Sequence, residues 1–318
     1  TNNISPNNKI MSAPPPPRST VVGFVGLGAM GAGMATNMLG KIAAGGRLEP
    51  YQALFFDVRP GVAAAMAELA PNKASVAEDA AHVARESDLL LLSLPNDKVV
   101  QSFIADNLEH LRKGAVVIDT STTNPQAAKD VASKLESHGN PFLDAPVTGA
   151  PARATAGTLT IMVGGEESVL EQARPILETF TDRIVHVGAV GNGQLSKSMN
   201  NCLYNIGCAA MAEMLPLAER AGVPLDSFCE VVSNGTGQSY AFNQWAPHVL
   251  RREFEAPKYG YPMGVAFKDV QTVASLAEEQ KLPQPPVFSA MKSTYEKALS
   301  MGLQDEHKGA MVKVFEEQ

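Results

Sequence analysis

The distribution of hydrophobic positions divides the chain into two parts of different character. Over residues 21–188, short runs of β-branched and apolar residues alternate with segments in which apolar residues recur at helical spacing. Strands that alternate with helices are typical of a parallel sheet with helices on both faces. Over residues 189–318 the strand-like runs end and helical spacing predominates. The pattern predicts a doubly wound α/β domain over 21–188 and an all-α domain over 189–318.

Short apolar runs predict the strands of the first domain, and the last of them is expected to close the same sheet. The predicted strands cover residues 21–25, 53–56, 88–94, 115–119, 142–144, 157–165 and 184–187. The predicted helices between them cover residues 31–39, 61–69, 76–86, 126–137 and 166–180, with a further helix that begins at about residue 97. The first of these helices is expected to end at Gly40, because glycine is a common helix terminator.

A long helix over residues 191–220 is predicted to link the two domains, with Pro216 kinking or breaking it. Further helices are predicted over residues 226–233, 268–280 and 287–299.

A glycine-rich turn follows the first strand directly. Gly26, Gly28 and Gly31 have the spacing G-x-G-x-x-G, and small and apolar residues at helical spacing come next. In a dinucleotide-binding turn, the first glycine permits the tight turn, the second admits a pyrophosphate, and the third lets the helix pack on the strand. The pattern therefore predicts a Rossmann domain. Its predicted cofactor-binding residues are Gly26, Leu27, Gly28, Ala29, Met30 and Gly31.

Asp57 ends the second predicted strand, where an acidic residue accepts hydrogen bonds from the adenosine ribose. This carboxylate would repel a 2′-phosphate, so Asp57 favours NAD over NADP. Arg59, two residues later, could bind that phosphate, which leaves NADP open. Leu94, Pro95 and Thr122 follow the next two strands at the same edge of the sheet, and they are candidates to contact the nicotinamide half or to act as ordinary turn residues.

Composition limits the classes of partner. The chain has 33 acidic and 26 basic residues, a formal charge of −7 and no basic run, which argues against nucleic acid as its main partner. No apolar segment is long enough to span a bilayer, so no membrane association is expected. Three cysteines without ligand spacing indicate a reducing compartment, and neither they nor the six histidines predict a metal site.

Residues 1–20 are polar and then proline-rich, which predicts a disordered tail. Lys9 and Arg18 are the tail's basic residues, so it lacks the arginine-rich character of a transit peptide, and the cytoplasm is the expected compartment. Met11 could be the natural first residue, with residues 1–10 foreign to the protein, or the chain could already be processed.

Lys197 and Asn201 stand four residues apart on the long helix, so both project from one face. A lysine near a helix N-terminus is electrostatically unfavourable, which is a reason to suspect a function. The alternative is a solvated charge on an exposed face.

Four sequence blocks together resemble the β-hydroxyacid dehydrogenase family, which includes the 3-hydroxyisobutyrate dehydrogenases. The blocks lie in the family's order and extend over nearly the whole chain beyond the tail. They are residues 23–37 at the cofactor turn, residues 144–150 with 157–159, Gly193 and Gln194 with Lys197 and Asn201, and the pair Lys268 and Asp269. Where the family usually has Ser-Gly-Gly and a phenylalanine, this chain has Thr148-Gly149-Ala150 and Tyr261, and its loop over residues 40–52 is longer than usual.

The resemblance implies that Lys197 is the general acid/base and that Asn201 binds the reacting oxygen. Thr148, Gly149 and Ala150 would bind the substrate carboxylate. Tyr261 would lie near the substrate, and Lys268, oriented by Asp269, near both substrate and cofactor. Because an unperturbed lysine has a pKa of about 10.4, Lys197 needs burial or a nearby cation to lose its proton near neutral pH.

The implied reaction is oxidation of a short 3-hydroxy acid by NAD or NADP. The default substrate is 3-hydroxyisobutyrate, oxidised to methylmalonate semialdehyde in valine catabolism. The resemblance also implies a homodimer or homotetramer and leaves mitochondria open as the compartment. The alternatives are an NADPH-dependent reductase of small semialdehydes, glyoxylate or imines, a phosphogluconate dehydrogenase, and a non-catalytic dinucleotide-binding module. Lys197 argues against the imine reductases, and the scarcity of basic residues argues against a phosphorylated substrate.

Overall fold

The computed structural model describes residues 19–256, 258–279, 281 and 285–316. The predicted tail falls mostly on residues 1–18, which lie outside the described residues. The first strand, β1, starts at Thr20, one residue earlier than predicted.

A six-stranded, all-parallel sheet forms the centre of the first part of the molecule. Its strands are β1 (Thr20–Val25), β2 (Tyr51–Phe56), β3 (Ala74–Val76), β4 (Leu89–Leu92), β5 (Val116–Asp119) and β6 (Phe142–Asp144). Their spatial order is β3-β2-β1-β4-β5-β6, so the order reverses between β1 and β4. A dinucleotide binds at such a switch point, outside the carboxyl ends of the strands. The α/β fold class with a Rossmann domain is therefore confirmed.

A second, three-stranded sheet continues the chain. It contains β7 (Val147–Thr148), β8 (Leu159–Val163) and β9 (Thr181–His186), in that order. The expectation that the last strand closes the main sheet was wrong. β7 runs antiparallel to β8, and this turn of the chain leads β8 and β9 away from β6. One antiparallel bridge between Asp144 and Gly164 joins the two sheets.

Helices cover both faces of the main sheet, as a doubly wound fold requires. In this part the helices are α1 (Gly31–Ala44), α2 (Val62–Ala67), α3 (Ala80–Glu86), α4 (Asp97–Asn107), α5 (Pro125–His138), α6 (Ala150–Ala156) and α7 (Glu167–Leu177). The predicted end of α1 at Gly40 was wrong. Ile42 is fully buried and continues the apolar face of Met34 and Met38, so the helix runs on to Ala44.

The second part of the molecule is helical. It contains α8 (Asn192–Arg220), α9 (Leu225–Asn234), α10 (Tyr240–Leu250), α11 (Met263–Glu279), α12 (Pro286–Ser300) and α13 (Lys313–Glu316). A 3-10 segment, Lys308–Val312, precedes α13. Against the expected kink or break, α8 does not break at Pro216. Pro216 is itself buried, and α8 packs against α10, α11, α12 and the 3-10 segment, which hold it continuous.

Candidate active site

The glycine turn lies at the carboxyl edge of the sheet, between β1 and α1. Gly26 has φ of +91°, a value that residues with a side chain rarely adopt. A β-carbon at Gly31 would collide with the Gly26 carbonyl oxygen, whereas a β-carbon at Gly28 would meet nothing within 4 Å. No side chain in the described residues caps the start of α1, and its first turn contains no acidic residue. This open turn at an uncapped helix N-terminus fits the pyrophosphate of a dinucleotide.

Asp57 and Arg59 lie beside this turn, just after β2. The Asp57 carboxylate accepts a hydrogen bond from the Leu27 backbone N–H at 2.7 Å and one from the Arg59 backbone N–H at 2.9 Å. The Arg59 guanidinium also binds it through Nε at 2.9 Å. These bonds, led by that from the Arg59 side chain, lower the pKa of Asp57 to about 2. Asp57 is therefore ionised at any working pH.

The loops after β4 and β5 meet at the same edge. The backbone N–H of Leu94 donates to Ser121 Oγ at 2.8 Å, and Pro95 is exposed next to it. Lys268 Nζ, on α11, donates to the Thr122 carbonyl oxygen at 3.4 Å. The predicted nicotinamide-side residues therefore adjoin one another, and Lys268 reaches them from the helical part.

The segment Thr148, Gly149 and Ala150 connects β7 to α6. Gly149 has φ of +140°, and Ala150, at φ of +60°, is one of the non-glycine residues with positive φ. The left-handed region costs a residue with a β-carbon roughly 1 kcal/mol, so this loop stores strain. Such strain is a feature of functional loops.

Asn37 fastens the cofactor helix to the helix that follows this loop. Its Nδ2 donates to the carbonyl oxygens of Ala154 and Thr155, each at 3.0 Å. Gly33 lies against the same turn, where a β-carbon would come within 2.8 Å of Ala154. The packing of α1 on α6 therefore holds the glycine turn and the 148–150 loop in one rigid arrangement.

The start of α8 is anchored to the sheet by Asp144 and Gln194. Asp144 Oδ1 accepts from the Gly191 N–H at 2.8 Å, and Oδ2 accepts from the Gln194 N–H at 2.9 Å. The Gln194 side chain donates to the Ser121 carbonyl oxygen at 2.8 Å and accepts from the Thr123 N–H at 2.9 Å. The helix that carries Lys197 is thus positioned by the strand ends that surround the cofactor edge.

Lys197 and Asn201 lie on one face of α8, opposite α11. Asn201 Nδ2 donates to Asp269 Oδ2 at 2.8 Å. Desolvation lowers the pKa of Lys197 to about 8; Asp269 opposes this shift, and Lys308 and Lys268 add to it. A lysine with this pKa can accept or donate a proton near neutral pH.

Tyr261 is the predicted site residue with the weakest structural link to the others. It is 58% exposed and lies just before α11. In the part of the chain that the structure describes, no hydrogen bond or ring contact joins it to another predicted site residue.

Asp119, Asn205 and Lys308 also adjoin the site, and the sequence analysis did not identify them. Asp119 ends β5, and burial raises the pKa of its carboxyl to about 7. Asn205 lies one turn beyond Asn201, a spacing that could have identified it. Lys308 is 103 residues from its partner Asn205, and no local pattern signals such a contact.

Models of known protein families match both parts of the chain. The family model described as the NAD-binding domain of 6-phosphogluconate dehydrogenase matches residues 21–188. A second model, described as the NAD-binding domain of NADP-dependent 3-hydroxyisobutyrate dehydrogenase, matches residues 191–315. The chain belongs to the β-hydroxyacid dehydrogenase family.

Relatives within the β-hydroxyacid dehydrogenases act on different hydroxy acids. The 2-(hydroxymethyl)glutarate dehydrogenase of Eubacterium barkeri is 32% identical over 94% of this chain and 96% of that protein. The NAD-dependent L-serine dehydrogenase of Pseudomonas aeruginosa is also 32% identical, over 93% of this chain and 97% of that protein. The structure of Mycobacterium tuberculosis 3-hydroxyisobutyrate dehydrogenase with L-serine superposes with a TM-score of 0.78 at 31% identity, covering 92% of this chain and 98% of that one.

Membership in the β-hydroxyacid dehydrogenases makes the chain an NAD(P)-dependent enzyme that acts on the hydroxyl group of a small hydroxy acid. No helix among the described residues is long and apolar enough to cross a membrane. Within the same residues, no group of three or more histidine, cysteine or carboxylate side chains could hold a metal ion.

Proposed function

We propose that the enzyme oxidises a short 3-hydroxy acid, with 3-hydroxyisobutyrate as the first candidate, and that Lys197 is its general acid/base. The observation that carries the proposal is the position of Lys197. It lies half-buried on a helix that Asp144 and Gln194 tie to the cofactor edge, and its pKa of about 8 suits proton transfer.

In this proposal, Lys197 Nζ takes the proton of the substrate hydroxyl as the carbonyl forms. The glycine turn and Asp57 would hold the nicotinamide cofactor, which would supply the hydride acceptor for the substrate carbon that bears this hydroxyl. Asn201 donates one hydrogen bond to Asp269, which fixes its amide, and its remaining polar atoms orient the reacting oxygen beside Lys197. Thr148 Oγ and the N–H groups of Gly149 and Ala150 bind the substrate carboxylate, so the 3-hydroxyl is presented to α8.

The glycine turn, residues 26–31, would hold the pyrophosphate, and Asp57 would hold the adenosine ribose. A carboxylate that is ionised at any working pH favours NAD, whose ribose offers hydroxyl donors, over NADP, whose 2′-phosphate it repels. Leu94, Pro95, Thr122 and Lys268 would adjoin the nicotinamide half.

We also propose that the enzyme is a homodimer or homotetramer in a reducing compartment, the cytoplasm being the first candidate. The three cysteines are buried and unpaired, which suits such a compartment. An exposed apolar stripe on α8, formed by Met199, Leu203, Met214 and Leu217, supports self-association.

The first experiment is an absorbance assay of reduced nicotinamide with a panel of hydroxy acids. It should include 3-hydroxyisobutyrate, 3-hydroxypropionate, L-serine, 4-hydroxybutyrate and 2-(hydroxymethyl)glutarate, each with NAD and with NADP. The expected result is the highest kcat/KM for 3-hydroxyisobutyrate with NAD. If the enzyme prefers another of these acids, that acid becomes the proposed substrate and the proposed reaction stands. Turnover of semialdehydes or imines alone, with the reduced cofactors, would overturn the proposal.

The assignment of Lys197 is tested by Lys197→Ala. Loss of a general acid/base lowers kcat by about 10²–10⁴-fold, while NAD affinity stays within about twofold, because the cofactor turn is untouched. The matched control is Lys292→Ala, a lysine on α12 paired with Glu296. Parental kcat in Lys197→Ala would exclude Lys197 as the acid/base.

A further inference from the structure

The catalytic face of α8 extends beyond the two residues used above. Lys197, Asn201 and Asn205 stand at successive intervals of four residues, so they project from the same side of the helix. Asn205 is fully buried, and its Oδ1 accepts a hydrogen bond from Lys308 Nζ at 2.6 Å. The 3-10 segment before α13 therefore places a second lysine behind the catalytic face.

The ammonium group of Lys308 has no carboxylate partner at salt-bridge distance among the described residues. The residue is only 7% exposed, and its Nζ lies 4.4 Å from the centre of the Tyr204 ring besides contacting Asn205. Buried charges are normally paired with an opposite charge. The charge of a buried lysine held by an amide oxygen and a ring face therefore acts on the groups around it, among them Asp269 and Lys197.

Three charged residues of the described chain act on Lys197, from the two elements packed against this face of α8. Asp269 and Lys268 come from α11, and Lys308 comes from the 3-10 segment. Lys268 is exposed and reaches the Thr122 carbonyl, so solvent screens its charge. Lys308 is buried and screened much less, which makes it the stronger of the two cations.

The two lysines hold their protons unequally. Burial lowers the pKa of Lys308 as it does that of Lys197, but Lys308 has an oxygen acceptor and an aromatic face, and both stabilise its charged form. In the part of the chain that the structure describes, Lys197 Nζ makes no hydrogen bond. When one of the two must be neutral, Lys197 is the one that loses its proton.

We propose that Lys308 is a positioning residue for catalysis, whose buried positive charge, held against Asn205, makes Lys197 the lysine that releases its proton near neutral pH. The inference rests on the proposed role of Lys197 as the acid/base. It assigns to the C-terminal segment a function in proton transfer without contact with the substrate.

The first test measures the protonation of Lys197 without any substrate. Lys197 is reacted with an amine-specific acylating reagent between pH 6 and 11, and its modification is followed by peptide mass spectrometry. Lys308→Gln keeps an N–H donor for Asn205 and removes the charge, so the midpoint for Lys197 should rise by about one pH unit. Lys308→Arg, which keeps the charge, should retain the parental midpoint, as should the control Lys292→Gln.

The second test is the pH dependence of kcat/KM for alcohol oxidation. In Lys308→Gln the acidic limb of the profile should shift to higher pH by the same amount. The value of kcat/KM at pH 7 then falls about tenfold, while its plateau at high pH is unchanged. A purely structural role would lower the rate equally at every pH and would leave the labelling midpoint unchanged.

Asn205→Asp provides an independent variant, because a carboxylate there pairs with Lys308 and cancels its charge. It should raise the Lys197 midpoint in the same direction, which keeps the proposal testable if Lys308→Gln does not fold. An unchanged labelling midpoint in either folded variant overturns the inference and leaves the proposed function standing. A shifted midpoint with an unchanged kinetic limb overturns both, because Lys197 would then not be the acid/base.

Discussion

Both carboxylate oxygens of Asp57 accept hydrogen bonds from the protein itself. Oδ2 accepts from the Leu27 N–H and Arg59 Nη2, and Oδ1 accepts from the Arg59 N–H and Nε. The Arg59 side chain is 56% exposed, whereas that of Asp57 is 5% exposed. Arg59 can therefore move aside at little cost, while Asp57 is fixed by the Leu27 backbone. In the proposed cofactor site, this arrangement would let the adenosine ribose replace Arg59 as the partner of Asp57.

Asp57→Asn should reverse or remove the proposed preference for NAD. A hydrogen bond to a charged group contributes about 1.5–3 kcal/mol, so we expect kcat/KM with NAD to fall about 10- to 100-fold. With NADP it should rise, because the repulsion of the 2′-phosphate is gone and Arg59 is released. Initial rates with both cofactors measure the effect, with the exposed Asp182→Asn as control. An unchanged ratio of the two rates would show that Asp57 does not select the cofactor.

The site residues that the sequence identifies share one property, which is that their signals are local. Gly26, Gly28 and Gly31 lie within one turn, and Lys197 and Asn201 within one helical turn. Asn205 continues the same four-residue spacing, but its contact with Lys308 spans 103 positions, and spacing could not reveal that contact or the role of Lys308. The buried position of Asp119 likewise follows from packing of neighbouring elements.

At the level of elements, the junction between β5, β6 and α8 decides where Lys197 lies. Asp144 binds two N–H groups at the start of α8, in the manner of a cap supplied by another element. Asp119 Oδ1 accepts from the Ser121 N–H at 2.9 Å, while its Oδ2 is buried without a hydrogen-bond partner in the described residues. Burial raises the pKa of both carboxyls, to about 7 for Asp119 and about 6 for Asp144.

These shifts predict how stability depends on pH. The ordinary pKa of an aspartate is 3.8, so between about pH 4 and pH 7 the folded state retains a proton on Asp119 that the unfolded chain has released. The contribution of Asp119 to the free energy of unfolding therefore falls as the pH rises through this window. Asp119→Asn cannot titrate, so its stability relative to the parent should be about 1–3 kcal/mol more favourable at pH 8 than at pH 5.

Urea unfolding at the two pH values measures this difference. Asp106→Asn, at an exposed position, serves as control, and its free energy of unfolding should differ from that of the parent by the same amount at both pH values. If the free energy of unfolding of Asp119→Asn also differs from that of the parent by the same amount at both pH values, Asp119 is ionised in the folded state and the explanation is wrong.

Most strands and helices could be predicted because the main sheet is buried on both faces and reads as continuous apolar runs. The element β3 was missed: two of its three residues are exposed, and Ala74–Val76 carries no buried run. The helix α6 was missed because Ala150–Ala156 contains a single buried residue, Ala154, and so has no apolar period. Elements formed mainly by tertiary contacts leave little trace in hydrophobic spacing.

At the scale of the whole molecule, side chains from both parts meet at one edge. Gln194 joins α8 to the loop after β5, and Lys268 joins α11 to the same loop through Thr122. Asp269, next to Lys268, binds Asn201. The carboxyl edge of the sheet and α8, which carries Lys197, are thus held together by a few polar contacts across the two parts, and the proposed site needs residues from both parts.

The outer side of α8 carries an apolar stripe that this chain alone leaves exposed. Met199, Leu203, Met214 and Leu217 are 44%, 71%, 43% and 58% exposed. At 3.6 residues per turn they fall within about 60° of arc, roughly 100° to 160° around the helix from Lys197. Exposed apolar residues along one side of a helix are typical of an interface, and a second copy of this chain is the occupant that the family resemblance implies.

Leu203→Glu combined with Leu217→Glu should therefore dissociate the proposed oligomer. Two charges placed on an isologous interface meet their own copies, so each substitution acts twice and dissociation into smaller species is expected. Sedimentation velocity measures the mass, and circular dichroism checks that the helices remain. The matched control is Leu69→Glu, because Leu69 is 63% exposed and lies outside the helical part. A parental mass in the double variant, or a monomeric parent, would show that α8 does not form the interface.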